Sequence, residues 1–259
     1  MTPSTIRRRL GRLVNGMLRP LGLGLHRRHF VERARRPTYA AGFEHLKHLG
    51  FAPRTVVDVG VADGTMSLYQ AFPNARHILI EPLEEATPFL ADIAKQFPHV
   101  EYVVAAAARQ SGQVTINVHP DMARSSVFWE SDYAPGSVKP RAVRAVTLDQ
   151  IRRERQLEPP MLLKIDVQGA EVDVLAGAAE TLVDTEYVVL ETSLYEFFHG
   201  APEVGEVVAF MRSRGFVIYD VLALQYRPLD GALSMLDLGF VKERSAWRRL
   251  HRFHPLPNA

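Results

Sequence analysis

The sequence predicts an α/β protein: a mostly parallel seven-stranded sheet with helices on both faces. Three observations predict it. Short apolar runs alternate with helical patterns over residues 37–243, the first run ends in an acid and a glycine-rich turn, and one pair of period-2 segments interrupts the alternation after the third run. Strands that alternate with helices need a parallel sheet covered on both sides to bury their apolar faces. A length of 259 residues suits one such domain with an extension.

The elements follow in chain order. Residues 1–36 read as a basic amphipathic extension: Leu10, Leu13, Val14, Met17 and Leu18 recur at helical spacing until Pro20, Gly22 and Gly24 break the pattern. Residues 37–52 predict a helix leading into the core. Strands are expected at Thr55–Val59, His77–Ile80, Val100–Ala105, Met161–Val167, Tyr187–Leu190, Phe216–Val221 and Met235–Val241. Helical patterns cover Glu84–Gln96, Ala170–Leu182 and Glu203–Arg214. After the third strand, Gln113–Val118 and Ala142–Thr147 alternate with period 2 and predict a β insertion with a long polar loop between its strands. Residues 244–259 read as a basic, proline-containing peripheral tail.

Composition narrows the function. The absence of cysteine excludes disulfides, thiolate metal sites and a cysteine nucleophile. Ten arginines against Glu32 give residues 1–36 a charge of +9, so the remainder carries −7 of the total +2. The basic character belongs to the extension. It suits packing on a surface or partner, or peripheral contact with a membrane or other anion. No aromatic platform accompanies the arginines and no N-P-P-Y-type tetrapeptide occurs, which disfavours a nucleic-acid substrate. No apolar run approaches the roughly 20 residues that span a bilayer, and the N-terminus lacks a continuous apolar leader. The expected setting is cytoplasmic.

The chemistry begins at Val56-Val57-Asp58-Val59-Gly60-Val61-Ala62-Asp63-Gly64-Thr65. This apolar strand, acid, glycine turn and helix start is the ligand-binding corner of a Rossmann-like sheet. A dinucleotide loop reads G-x-G-x-x-G; here the middle glycine is absent, and Asp58 and Asp63 would repel a pyrophosphate. They suit a cationic ligand such as the sulfonium of S-adenosyl-L-methionine. Glu81 closes the second strand 21 residues after Gly60, where a carboxylate can accept both ribose hydroxyls.

The run Leu162-Leu163-Lys164-Ile165-Asp166-Val167-Gln168-Gly169-Ala170-Glu171 resembles the signature of FkbM-type methyltransferases, with Gln168 where that pattern usually has a glutamate. Val146-Thr147-Leu148-Asp149 resembles the family's T-L-D element, and the similarity runs from about residue 50 to 242. It implies a Rossmann-like class I methyltransferase fold for residues 37–243 and S-adenosyl-L-methionine as cofactor. Asp58, Gly60, Asp63 and Gly64 would then line the methionine end, Glu81 the ribose, and Ala105 and Ala106 the adenine. The acceptor would be a hydroxyl on a sugar, glycolipid or secondary metabolite. A nucleoside-binding module without turnover is the alternative.

An alcohol acceptor needs a base. The candidates are Asp166 and Glu191, at the ends of adjacent strands, and His199 in a loop above them; His119 is a further one. Asp166 and Glu191 are also candidate ligands for Mg2+, since hard cations take oxygen donors. The loop 121–140, with Arg124, Ser125, Ser126, Trp129 and Tyr133, is the expected lid or acceptor wall.

Overall fold

The computed structural model describes residues 37–134 and 136–254, so the basic extension and the last five residues lie outside it. The main-sheet strands are β1 (Thr55–Val59), β2 (Arg76–Glu81), β3 (Val100–Val104), β7 (Met161–Ile165), β8 (Thr185–Ser193), β9 (Phe216–Tyr226) and β10 (Leu233–Lys242). Their order is β3-β2-β1-β7-β8-β10-β9. Pairing is parallel from β3 through β8. β10 runs antiparallel to both neighbours.

Each predicted strand is present, with β1 matching to the residue and β8 and β9 running several residues longer than their apolar cores. The alternation of side chains decides the packing. Val57, Val59, Leu163 and Ile165 enter one core, with Leu148, Val174 and Met211 from the helices on that side. Val56, Leu162 and Val189 enter the other, with Phe43, Leu68 and Leu90. Both faces are covered, so β1 and β7 are buried at every position.

The helices α1 (Tyr39–His48), α2 (Met66–Ala71) and α3 (Thr87–Gln96) cover the second face. The first is covered by α4 (Leu148–Arg155), α5 (Glu171–Ala176), α6 (Ala179–Val183) and α7 (Val204–Ser213). The helix expected over 170–182 is two helices broken at Gly177. A Cβ there would stand 2.3 Å from the Ala108 carbonyl, so the chain passes too closely for any larger residue. Asp149 of the T-L-D element accepts from the Glu180 and Thr181 amides at 3.0 and 2.7 Å and so caps α6.

The expected insertion is a separate three-stranded sheet. It is built from β4 (Ala106–Ala107), β5 (Gly112–Val118) and β6 (Lys139–Val146), ordered β4-β6-β5. β5 and β6 form the antiparallel hairpin, while β4 pairs parallel to β6. The tail expected from 244 begins inside the packing: Trp247 sits edge-on to Phe51 at 5.3 Å between ring centres.

Candidate active site

A cleft of about 1060 Å³ opens over the carboxyl ends of β1, β2, β7 and β8, reaching β10 on one side and the β5–β6 loop on the other. The sheet reverses its winding between β1 and β7, the crevice where α/β sheets bind ligands.

Over β1 and β2 the wall is mostly backbone. The turn after β1 places Gly60, Ala62 and Gly64 at φ +74°, +46° and +109°. A Cβ on Gly60 would lie 1.7 Å from the Asp166 carbonyl oxygen, so glycine is required for the ends of β1 and β7 to stay adjacent. Glu81 organises the turn from β2: one carboxylate oxygen accepts from the Ala62 amide and the other from the Leu83 amide, each at 3.1 Å. Burial pushes the Glu81 carboxyl up, against the downward pull of those amides.

Over β7, β8 and β10 the wall is side chains. The signature loop is folded around Glu171, whose carboxylate accepts from the Val167 and Gly169 amides at 3.1 and 3.2 Å. Burial raises Glu171 to about 7. Gln168 and Gly169 take positive φ, and a Cβ on Gly169 would stand 2.8 Å from that of Ala201. The Gln168 amide nitrogen is thereby carried between two carboxyls, 3.1 Å from Asp166 and 2.7 Å from Glu191. Burial, Asp166 and Asp237 push Glu191 well above the usual carboxylate range.

Beneath them Lys164 is buried, 3.2 Å from Asp166 and 3.5 Å from Asp58. Burial alone would lower its pKa; the carboxylates of Asp166 and Asp58 hold it well above the usual lysine value. Asp58 is Lys164's direct neighbour in the β1–β7 register.

The structure gathers Gly60, Asp63, Gly64, Glu81, Ala106, Asp166 and Glu191 on the cleft wall, and places the other predicted residues elsewhere. Asp58 is fully buried, accepts from the Tyr69 hydroxyl at 2.6 Å and does not reach the cleft. Its role here is to neutralise Lys164. Ala105 belongs to the core, and Ala106 and Ala107 take its expected place on the wall. His199 is exposed off the cleft, its backbone amide donating to the Trp129 carbonyl, so it does not join Asp166 and Glu191. His119 stacks on Tyr133 and accepts from the Asp121 amide, shaping its own loop.

Nor do Asp166 and Glu191 fit a metal. The Gln168 amide holds the space between them, and among the described residues no group of three or more His, Asp or Glu side chains is placed to hold an ion.

The loop 121–140 forms a wall through Arg124, Ser125 and Ser126, while Tyr133 is buried and Trp129 lies outside the cleft. Two ties fix it to the rim: the Ser126 hydroxyl donates to the Gln168 carbonyl at 2.7 Å, and Glu130 bridges to Phe198. Two wall residues escaped the sequence reading. Asp237 of β10 stands directly opposite Glu191 in the strand register. Tyr39, the first residue of α1, lies beside Asp237 on the same wall. Thr38 places it there by capping that helix, its hydroxyl accepting from the Ala41 amide at 3.2 Å.

Residues 58–218 match the Methyltransferase FkbM domain. The chain is 26% identical over 194 residues to the 2-O-methyltransferase NoeI of Sinorhizobium fredii, covering 67% of this chain and 78% of that protein. Its fold is similar to the crystal structure of the methyltransferase FkbM from Methylobacillus flagellatus KT, with a TM-score of 0.50 at 15% identity. That match covers 78% of this chain, which spans 48% of the length of that structure.

Proposed function

Because the chain belongs to the FkbM methyltransferase family, we propose that it transfers a methyl group from S-adenosyl-L-methionine to a hydroxyl of a sugar, glycolipid or secondary metabolite. The methyltransferase domain in this reading is residues 37–243. The observation that carries it is the pair of carboxyls, Asp166 and Glu191, facing the same cleft as the Gly60–Thr65 turn and both accepting from the Gln168 amide nitrogen. The similarity to a 2-O-methyltransferase supports a hydroxyl acceptor.

The residues fit the cofactor. Glu81 stands at the end of β2 with both oxygens already ordered by backbone amides, ready to take the ribose hydroxyls on its remaining lone pairs. Gly60, Asp63 and Gly64 would hold the methionine end, and the small side chains of Ala106 and Ala107 leave room for the adenine. When bound, the cofactor supplies an activated methyl on a sulfonium. The protein's own work is to align the acceptor, exclude water and take its proton as the new carbon–oxygen bond forms.

Asp166 is the proton acceptor in this reading. Glu191 stands beside it, its carboxyl raised by burial and by the neighbouring acids Asp166 and Asp237.

Calorimetric titration tests the reading. Micromolar binding of S-adenosyl-L-methionine and none of NAD is expected. Asp166→Asn should keep that affinity within about threefold and lower turnover about 100-fold. A folded sample that binds no S-adenosyl-L-methionine would leave the nucleoside-binding alternative.

A further inference from the structure

The side of the cleft beyond Asp166 has a charge pattern that the methyltransferase reading leaves unused. Among the residues that line the cleft, carboxyl groups outnumber basic groups eight to three. Each of the three cations already has a carboxylate partner. Lys164 is held between Asp58 and Asp166. The Arg124 guanidinium is paired bidentately with Glu130, at 3.1 and 2.6 Å. The Arg227 guanidinium is paired in the same way with Asp230, at 2.8 and 2.6 Å, and lies 4.1 Å over the Tyr195 ring. An anionic acceptor would enter a cleft whose lining carries more acids than bases, and like charges placed together are unfavourable.

The sheet order divides the cleft. The cofactor turn lies over β1 and β2, and Asp166, Glu191 and Asp237 follow on the next three strands, β7, β8 and β10. The partners of these acids differ. Asp166 is engaged by Lys164 and Gln168, and Glu191 by Gln168. Asp237 stands opposite Glu191 on the cleft wall, beside the Tyr39 phenol. An ionised carboxylate with free lone pairs is an acceptor-only group, which suits neighbouring hydroxyls or an ammonium.

We infer that Asp237, beside Tyr39 on the cleft wall, binds the methyl acceptor, and that the acceptor is a polyhydroxyl compound, uncharged or amino-bearing, without an anionic group. This rests on the methyltransferase reading. It places the selection against phosphates and carboxylates in the cleft itself, where the arginine-rich extension taken alone would suggest the reverse.

The test uses the full chain saturated with S-adenosylhomocysteine and four probes on one ring: methyl glucoside, glucosamine, glucuronate and glucose 6-phosphate. Binding is read by saturation-transfer NMR. Methyl glucoside and glucosamine should bind, and the two anions should bind at least tenfold more weakly. Asp237→Asn should weaken glucosamine most and narrow the gap to the anions. Tyr39→Phe should weaken both favoured probes less than Asp237→Asn does.

Anions that bind as well as methyl glucoside, an Asp237→Asn variant whose affinities for all four probes match the unaltered protein's, or a folded protein that takes none of the four would each overturn the inference. Failure of S-adenosylhomocysteine itself to bind shows in a separate titration and counts against the methyltransferase reading. A circular-dichroism melt of each variant separates lost binding from lost fold.

Discussion

The two halves of the cleft are built from different materials. Over β1 and β2 the wall is a turn with three residues at positive φ, and the Glu81 carboxylate there is ordered by backbone amides. Over β7, β8 and β10 the wall is a set of side chains, Asp166, Gln168, Glu191 and Asp237, placed by one loop and two strands. The first half recognises by shape and tolerates no added atom. The second recognises by charge and hydrogen bonding, and its side chains can change without moving the chain. A cofactor of fixed shape suits the first kind of wall, and an acceptor recognised by its hydroxyls suits the second.

Four expectations break or sharpen that contrast. Lys164 joins the halves, since it neutralises Asp58 under β1 and Asp166 over β7. Lys164→Met leaves two carboxylates without their cation and should cost about 3 kcal/mol or more in chemical denaturation. A loss below about 1 kcal/mol would show that the halves stand independently. Gly60→Ala drives a Cβ into the Asp166 carbonyl from a left-handed backbone and should cost about 2–3 kcal/mol by the same measurement. Were it harmless, the shape argument for the first half would fail.

Glu81→Gln keeps the size of the side chain and replaces one accepting oxygen by a donor. It should weaken S-adenosyl-L-methionine about tenfold by calorimetry, equivalent to about 1.4 kcal/mol. An unchanged affinity would remove Glu81 from the ribose.

The smallest effect concerns pH. Glu171 is raised to about 7 in the folded protein by burial. A carboxyl raised on folding gives stability that is full below its unfolded value and is lost as pH rises through the folded value. The melting temperature should therefore fall between about pH 5 and pH 8. The slope should flatten in Glu171→Gln, and an equal slope in both would assign it to other groups.

Much of the first half was legible in the sequence, because backbone features leave local marks. Gly60, Gly64 and the acid that ends β2 are adjacent to their own strands, and β1 and β2 announce themselves by apolar runs. Asp58 and Ala105 show where local reading stops. Both faces of this sheet are buried, so an acid or alanine near a strand end can point to the core or to the cleft, and only packing decides.

The second half was harder, because it depends on register. Asp237 meets Glu191 through antiparallel pairing of strands far apart in sequence, and Tyr39 joins them from the first helix. Neither carries a motif. His199 failed for the opposite reason: a histidine in the right loop was conspicuous in the sequence, and the bridge from Glu130 to Phe198 leaves it outside. The helix break at Gly177 depends on a chain crossing that no local pattern records.

The wall formed by the β5–β6 loop belongs to its own three-stranded sheet and is fastened to the rim at Ser126 and Glu130. It is therefore a replaceable part. A hairpin of different length or sequence, carrying a serine and a bridging residue at those two fastenings, could be exchanged between relatives while the seven-stranded sheet and its turns stay as they are. For enzyme engineering this makes the loop 121–140 the natural cassette for changing what is methylated without rebuilding what does the methylating.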